Sequence, residues 1–529
     1  MQRKPLVSMV LLALLPTTRA IGWSLDRAYP LPELPALAST GTGDTAWAFA
    51  AEKSGSPKTF PRLGVALRLS GFGALARDPS DPTGATFWAL DDRGLATAYQ
   101  TTSIEGKIIA LPGYHQKLVR LQLQGDALRV LSIDSIGSWE SPSIFTTGRP
   151  STKAGKAEPA FQGRLDSAVV DLAATITPVT HGYDFESLKF LPSGDLVASD
   201  ELGPTVVQIA RSNLRIAKEW YPGKGLPKVF ANRRENRGFE AVAATPSGKI
   251  VAILQSPSHT PNSDTKNSRA IRLVWLDPAT GALREHVYLS DLKGGRRLGG
   301  EVKIGDLVAL GESRFLAVEH GVDDGGKYWI DLVEFDLTTA TDVHDAGDAK
   351  DGKTWGGKTL EQIGLDPSDA VWATAGISPV TRSVRWADLL SSQSVWASTK
   401  PEGMELLGDS VLVLLNDNGY GAEDKNGDGI PHLASESERA QSLSFLRLPP
   451  ASSVRPRASH PELRAWQEGQ HLRIEGAGSG DVVLLDLAGH SWSRANLRSG
   501  SARLSLQGLP DGVWLLAAPG GNRVIQILR

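Results

Sequence analysis

Acidic and amide side chains recur along the chain in pairs of clusters with a common spacing. Each pair encloses an apolar strand, a Gly or Ser turn and a second apolar strand, and its two clusters lie 13 to 15 residues apart. The pairs fall in residues 185–201, 239–256, 305–320 and 402–418. Carboxylate and amide oxygens are ligands for hard cations, so the pattern predicts a metal site if the fold brings these segments together.

The elements that would position these clusters are short antiparallel hairpins. Two strands of about five residues joined by a tight turn return both clusters to the same edge of a sheet. A degenerate fifth copy spans residues 71–94, and strand-like residues 118–135 are a possible further unit. Radial repeats of small sheets are typical of propellers. The sequence therefore predicts an all-β fold, a five- or six-bladed β-propeller followed by a small C-terminal β-sandwich.

Clustered carboxylates need a compensating charge, because two like charges about 4 Å apart repel by roughly 4 kcal/mol at an effective dielectric near 20. The chain has no cysteine, which excludes thiolate metal sites. Calcium accepts six to eight oxygen ligands in loose geometry, so Ca²⁺ is the predicted cofactor. The predicted ligands in the repeats are Asp92, Glu186, Asp200, Glu240, Asp306, Glu402, Asn416 and Asp417.

A second calcium signal is local. The run "DKNGDGIP" places Asp424, Asn426 and Asp428 at alternate positions before a glycine, as in the first half of an EF-hand loop. Ser435 stands where that loop would carry its glutamate. The run predicts a structural calcium site, and a plain Asx and Gly turn is the alternative.

Four runs of the chain resemble the phytase-like esterase family. They are "YDFESLKFLPSGDLVASDELGP", "NRGFEAVAATPSGKIVAILQSP", "IGDLVALGESRFLAVEH" and "KPEGMELLGDSVLVLLNDNGYG". The resemblance covers residues 61–450 and implies a propeller in which calcium gathers substrate oxygens and orients a water. Two departures stand out: "FGALARDP" lacks the usual polar residue of the first blade, and His320 replaces a common basic residue.

The function that this resemblance implies is hydrolysis of phosphate or related esters, with a small anionic ester as substrate. A carboxylate beside the metal would act as general base, and cations would clamp anionic oxygens. The predicted catalytic residues are Glu186, Asp200, Glu201, Glu240, Asp306 and Glu319. The predicted substrate-binding residues are Arg93, Arg237, Arg272 and Lys303.

Two other functions remain open on the sequence. Six-bladed sugar lactonases also place one Glu, one Asn and one Asp around a central calcium. An exported propeller without catalytic activity would instead bind glycans, proteins or metal ions at its rim. A basic run is absent and the net charge is -3, which disfavours a nucleic-acid partner.

The ends of the chain predict export. Residues 1–20 combine Arg3 and Lys4 with an apolar run and small residues, as signal peptides do. No later run is long enough for a membrane span. We expect a periplasmic, cell-surface or extracellular protein with a lead-in segment (21–60), the propeller (61–450), a linker (451–461) and the β-sandwich (462–529). This last segment resembles type IX secretion sorting domains, which implies export machinery as a partner.

Overall fold

The computed structural model describes most of the propeller and the strands of the C-terminal segment. The described residues are 26–35, 37, 52–53, 56–57, 68–94, 96–100, 105–109, 111–153, 159–162, 175–290, 302–392, 395–396, 398–408, 410–423, 432–449, 464–468, 471–475, 480–485, 491–497, 501–507, 512–518 and 521–527. The predicted signal peptide, the linker 451–461 and the loop residues Asp424, Asn426 and Asp428 lie outside these ranges. The chain divides into two compact units, residues 1–450 and 451–529.

The first unit contains five sheets of four or five strands, which we call blades 1 to 5 and describe from the inner to the outer strand; their pairing is antiparallel except for the last short strand of blade 2. Blade 1 comprises Phe72–Arg77, Thr86–Asp91, Lys117–Gln124 and Ala127–Ser135. Blade 2 comprises Phe185–Phe190, Leu196–Asp200, Thr205–Ala210, Arg215–Pro222 and the short Gly225–Leu226. Blade 3 comprises Phe239–Ala244, Ile250–Leu254, Ala270–Leu276 and Leu283–Leu289.

Blade 4 comprises Val302–Ala309, Arg314–Val322, Tyr328–Asp336 and Thr381–Trp386. Blade 5 comprises Pro401–Leu407, Val411–Asn416, Ser442–Arg447 and, as its outer strand, Arg27–Pro30. Each inner strand packs against that of the next blade, and the inner strand of blade 5 packs against that of blade 1. The described strands therefore close into a five-bladed β-propeller, and residues 118–135 belong to blade 1.

The ring is closed by a strand from the N-terminal part of the chain. Tyr29 lies opposite Leu443 in an antiparallel pair, within the segment predicted only as a lead-in. The Tyr29 ring also packs edge-on against Phe445, with 5.3 Å between ring centroids. The propeller thus begins before residue 61, and its last blade joins two distant parts of the chain.

The blades bury both faces, because each sheet is covered by its neighbours. One apolar cluster joins Phe72 and Phe87 of blade 1 to Val413 and Phe445 of blade 5. Other clusters join blades 1 and 2, blades 2, 3 and 4, and blades 4 and 5. This two-sided burial explains why the inner and second strands are nearly continuous apolar runs.

The remaining elements are short. The helices are Leu360–Ile363, Ala370–Thr374, Leu389–Ser392 and Glu436–Arg439, with 3-10 turns at Lys228–Asn232, Ser263–Asn267 and Gly419–Gly421. The short strands are Glu52–Lys53, Ser56–Pro57, Ala96–Gln100, Glu105–Ile109, Ala160–Gln162, Ala422–Glu423 and His432–Leu433. None of the helices within the described ranges has the length and apolar character that a membrane crossing requires.

The C-terminal unit is built from two antiparallel sheets. One contains Arg464–Glu468, His471–Glu475 and Ser501–Ser505, and the other contains Gly480–Leu485, Ser491–Leu497, Gly512–Ala518 and Gly521–Ile527. Leu472 and Ile474 alternate with less buried residues in the first sheet, and Val482 and Leu484 do so in the second. This alternation buries one face of each strand, as expected for a small β-sandwich.

A buried lysine links four blades. Lys189 Nζ, on the inner strand of blade 2, lies 2.8 Å from Asp306 Oδ2 of blade 4. It also donates to the carbonyl oxygens of Leu75 in blade 1 at 3.0 Å and Met404 in blade 5 at 2.9 Å. Asp306 in turn accepts from Ser187 Oγ at 2.6 Å and from the Met404 amide at 2.7 Å. This ion pair and its hydrogen bonds connect the inner strands of blades 1, 2, 4 and 5.

The first prediction concerns this pair. Asp306→Asn removes the nearer of the two carboxylates beside the buried Lys189 ammonium and leaves only Glu405 at 3.9 Å, so we expect the free energy of unfolding to fall by about 3 kcal/mol. Urea unfolding monitored by tryptophan fluorescence measures the change. Lys327→Gln, at the exposed pair with Asp388, is the control and should cost less than about 1 kcal/mol. Equal losses in the two variants would contradict the proposed importance of the buried pair.

Candidate functional site

Every inner strand carries a β-bulge near its first residue. The pairing with the second strand shifts between Phe72 and Ala74 in blade 1, and equivalent shifts occur in the other four blades. The extra residues at these bulges are Gly73, Glu186, Glu240, Gly305 with Asp306, and Glu402. A bulge redirects a side chain out of the regular alternation. Three glutamates are thereby aimed at the propeller axis from equivalent positions.

The second strands supply a further set of residues at the same rim. Phe185 pairs with Asp200 and Phe239 pairs with Leu254, so the start of each inner strand meets the end of the second strand. The next residues along the five second strands are Asp92, Glu201, Gln255, His320 and Asp417. Both polar clusters of each repeat therefore lie at one end of the blade, as their spacing predicted.

The carboxylates converge most closely in blade 2. Oxygens of Asp184, Glu186 and Glu201 all lie within 4.8 Å of one another and could hold a metal ion. Gln255 Nε2 donates to Glu240 Oε2 at 2.6 Å and to Glu201 Oε1 at 3.2 Å, which places Glu240 beside this group. We call the full set the acidic cluster: Asp92, Asp184, Glu186, Glu201, Glu240, Glu402 and Asp417.

Gly73 leaves space between two of these carboxylates. A Cβ atom at Gly73 would lie 3.2 Å from Glu402 Oε2 and 3.4 Å from Glu186 Oε2. The first blade therefore places a glycine, with no side chain, directly beside the carboxylates of Glu402 and Glu186. Donor sets made only of oxygen suit a hard cation, so the carboxylates present fit calcium.

Burial and mutual repulsion perturb the acidic cluster strongly. Burial, followed by the charge of Asp184, raises the pKa of Glu201 to about 7. Burial and the charge of Asp417 raise the pKa of Glu402 to about 8. The pKa values of Asp92, Glu186 and Glu240 are raised well above the usual range, first by burial and then by neighbouring carboxylates. A divalent cation would offset this repulsion and favour the ionised forms.

Cations border the acidic cluster. Arg93 Nε lies 2.6 Å from Asp184 Oδ2, and Lys400 Nζ lies 3.1 Å from Asp417 Oδ2. The charges of Glu240, Glu201 and Glu402 act on Lys303, which also senses Arg237. Of the predicted substrate-binding residues, Arg93, Arg237 and Lys303 therefore lie at this site.

The structure places Asp200 outside the acidic cluster. Its carboxylate accepts the backbone amides of Asp184 at 2.8 Å and Gly203 at 2.9 Å, and so holds the turn after the strand. Side chains alternate along a strand, so when Glu201 points to the axis its predecessor points away. Asp200 therefore positions Asp184 and Glu201 instead of joining them as predicted.

Glu319 and Asn416 occupy the same type of position as Asp200 and face away for the same reason. Glu319 is fully buried, where it pairs with Arg382 and accepts a hydrogen bond from Tyr288 Oη at 3.3 Å. Asn416 accepts from the Ser442 amide at 3.0 Å and donates to the Ala440 carbonyl at 2.7 Å. These contacts correct the predicted catalytic role of Glu319 and the predicted ligand role of Asn416.

Two further predictions are corrected by buried ion pairs. Asp306 was expected to bind metal or act in catalysis, but its carboxylate lies between the inner strands and is paired with Lys189. Arg272 is 1% exposed and pairs with Glu361 at 2.6 Å and with Glu285, so it cannot contact a substrate. The ligand roles predicted for Asp92, Glu186, Glu240, Glu402 and Asp417 stay predictions.

Sequence reasoning missed Asp184 and Lys400. Each lies one residue before an inner strand, at the position held by Lys303 relative to Ile304 in blade 4. The runs "YDFE" and "TKPEG" both carry a charged residue there. Comparing the residue before each strand across the repeats would have found them.

The second prediction follows from the raised pKa values. Without metal, the folded state holds protons on Glu201 and Glu402 that the unfolded chain releases, so stability should fall as pH rises from about 5 to about 8. Each unit by which a pKa is raised corresponds to about 1.4 kcal/mol. Thermal unfolding with EGTA and with calcium measures this, and calcium should restore stability most at pH 8.

Glu201→Gln should flatten the pH dependence in EGTA, because it removes one of the titrating groups. Glu312→Gln, at the opposite end of blade 4, is the control and should leave the slope unchanged. A chelated protein whose stability stays constant or rises over this pH range would contradict the account.

Comparison with known proteins supports the family that the sequence resembles. The family described as phytase-like, esterase-like activity of phytase, matches residues 67–420. No curated protein matches the chain significantly. Similar solved structures include hydrazine synthase of Kuenenia stuttgartiensis (12% identity, 76% of this chain and 90% of that chain, TM-score 0.32).

Another similar structure is an α-L-arabinofuranosidase from Podospora anserina in complex with cellotriose (8% identity, 80% of this chain and 96% of that chain, TM-score 0.31). A third is the β-propeller domain of Myceliophteria thermophila Cps50 (10% identity, 66% of this chain and 87% of that chain, TM-score 0.23). These similarities are too remote to carry an argument. The strand pairing defines the propeller, and the family match covers most of it. The chain belongs to the family described as esterase-like activity of phytase.

Proposed function

We propose that the protein is an exported, calcium-dependent hydrolase of phosphate or related esters. The observation that carries the proposal is the convergence of Asp184, Glu186 and Glu201, whose oxygens lie within 4.8 Å of one another, at a rim that also carries lysine and arginine. Such a site suits a substrate that is itself anionic and reaches the carboxylates through a metal ion.

The position of each residue determines its proposed role in binding calcium or in orienting the ligands. Asp184, Glu186 and Glu201 would hold calcium, with Glu402 on the far side of the space at Gly73. Bound calcium supplies positive charge that draws in and polarises the oxygens of an anionic ester. Arg93 fixes Asp184 by donating to both of its oxygens, from the backbone amide at 3.0 Å and from Nε at 2.6 Å.

Glu240 is the best-placed general base. Gln255 Nε2 holds its Oε2 at 2.6 Å, which fixes the orientation of the carboxylate beside Glu201. Burial, and then the charges of Glu201 and Glu402, raise the pKa of Glu240 well above the usual range, so its ionised form, which bound calcium would favour, takes up a proton more readily than an ordinary glutamate. A carboxylate with that property accepts the proton of an attacking water as the ester bond breaks.

The lactonase alternative is less favoured. Its ligand set needs an asparagine side chain at the metal, and Asn416, the asparagine in the corresponding repeat cluster, is engaged by Ser442 and Ala440. The cations beside the acidic cluster also suit an anionic substrate better than a neutral lactone. A binding propeller without catalytic activity is the remaining alternative.

Export is part of this proposal. It is supported by the signal-peptide layout of residues 1–20 and by the likeness of residues 462–529 to sorting domains. The absence of cysteine does not distinguish a periplasmic from an extracellular protein, and cell fractionation can do so. Cell fractionation of the full-length protein, compared with a form that lacks residues 462–529, would show whether the C-terminal unit directs the protein to the surface.

The third prediction tests the activity. Phosphomonoesters, phytate, carboxyl esters and lactones are offered to the purified protein with calcium and with EGTA. We expect phosphate release that requires calcium, and a loss of roughly 100-fold or more in kcat for Glu240→Gln, the range typical of general acid–base catalysis. Glu312→Gln, at the opposite rim, should keep full activity.

Other outcomes decide between the alternatives. Hydrolysis of lactones alone would replace the phosphatase proposal with the lactonase. Calcium binding without turnover of any substrate would favour a binding propeller.

A further inference from the structure

The charge at the end of the propeller that carries the acidic cluster differs sharply between blades. Each blade has three equivalent positions at this end, defined by the pair of residues that joins its inner and second strands immediately before the bulge, such as Phe185 with Asp200. They are the residue before the inner-strand member of that pair, the bulge residue that follows it, and the residue after the second-strand member. Blade 2 fills all three with acids, Asp184, Glu186 and Glu201. Blade 4 fills them with Lys303, Gly305 and His320, and so contributes no carboxylate.

Lys303 and His320 form a pair within blade 4. They lie directly opposite each other on antiparallel strands, so their side chains leave the same face of the sheet with Cβ atoms about 5 Å apart. Burial lowers the pKa of Lys303, the charge of Arg237 lowers it further, and Glu240, Glu201 and Glu402 raise it. These charged neighbours place the pair beside the acidic cluster.

His320 is only 8% exposed, and its Nε2 atom is buried with no hydrogen-bond partner among the described residues. Most buried polar atoms in proteins have a hydrogen-bond partner, so this nitrogen is a candidate for contact with a ligand. Burial and the charges of Lys303, Arg237 and Lys400 hold the pKa of His320 at about 3. The imidazole is therefore neutral and offers one N–H to an acceptor.

We propose that blade 4 forms an anion-binding subsite that takes the phosphoryl group of a phosphomonoester, with Lys303 and Arg237 supplying charge and His320 a hydrogen bond. The idea deepens the proposed function, and it rests on that function only in assigning the anion to a substrate. Blade 2 and blade 4 are not neighbours in the ring. A phosphoryl group bound by the subsite on one side would therefore face the acidic metal site on its other side.

The phosphoryl group suits this arrangement better than a carboxylate does. A phosphomonoester dianion carries two negative charges, which Lys303 and Arg237 would balance. It also presents several oxygens in tetrahedral directions, so one group can meet the subsite on one side and the metal site on the other. A planar carboxylate has one charge and two oxygens, which leaves part of the subsite unsatisfied.

The test measures binding of inorganic phosphate to the full chain by isothermal titration calorimetry, in EGTA and in low calcium. His320→Ala should weaken phosphate binding roughly 10-fold, the loss expected for one hydrogen bond to a charged group. Lys303→Met should weaken it by about 10-fold or more because a charge-assisted contact is lost. His320→Gln keeps a neutral donor and should retain most of the affinity.

His286→Gln is the matched control. His286 is also a buried histidine, but its Nδ1 contacts the Thr341 carbonyl at 2.9 Å on the outer strand of blade 3. The His286→Gln variant should keep a phosphate affinity within about twofold of that of the original protein. Circular dichroism establishes that each variant folds, and His320→Gln keeps the test valid if His320→Ala does not.

The outcomes separate the subsite from the proposed function. Unchanged phosphate affinity in both His320→Ala and Lys303→Met, or no binding of phosphate by the original protein, overturns the subsite. If phosphate esters are hydrolysed while these variants keep the original affinity and KM, the proposed function stands without the subsite. If no ester is hydrolysed but the variants lose phosphate affinity, the subsite stands without the proposed hydrolase function.

Discussion

The site depends on the cost of holding several carboxylates together away from water. Burial and mutual repulsion raise the pKa values of Glu186, Glu201, Glu240 and Glu402, so their ionised forms need a compensating charge. Lysines and arginines beside the acidic cluster supply part of that charge. A metal ion beside Asp184, Glu186 and Glu201 would supply the rest.

Backbone geometry decides which acids share that cost. A bulge in each inner strand aims one residue at the axis, and the alternation of the second strand aims its last residue away from the axis and the following one toward it. Glu201 thus faces the cavity while Asp200, its neighbour, holds the backbone amides of Asp184 and Gly203. Asp200 therefore supports the site from outside it, because it fixes the backbone that carries Asp184 and Glu201.

The charge at the shared rim differs from blade to blade although the backbone repeats. The five blades share one backbone pattern, but blade 2 places acids where blade 4 places Lys303, Gly305 and His320. Below this site, Lys189 reaches from blade 2 to Asp306 of blade 4 and to the backbones of blades 1 and 5. The same small set of inner strands therefore carries both the functional groups and the polar contact that holds four of the blades in register.

The repeat spacing was enough to predict the propeller and the shared rim, because hairpin length and strand pattern are local properties, and the resemblance of four sequence runs indicated the family. It also identified Glu186, Glu201, Glu240, Glu402 and Asp417 as acids of that rim. It could not separate them from Asp200, Asp306, Glu319 and Asn416, which have the same chemistry in the same motifs. That separation depends on which way each strand faces and which partner lies opposite, such as Lys189 for Asp306 and Arg382 for Glu319. Those partners come from distant parts of the chain, so only the tertiary structure brings them together.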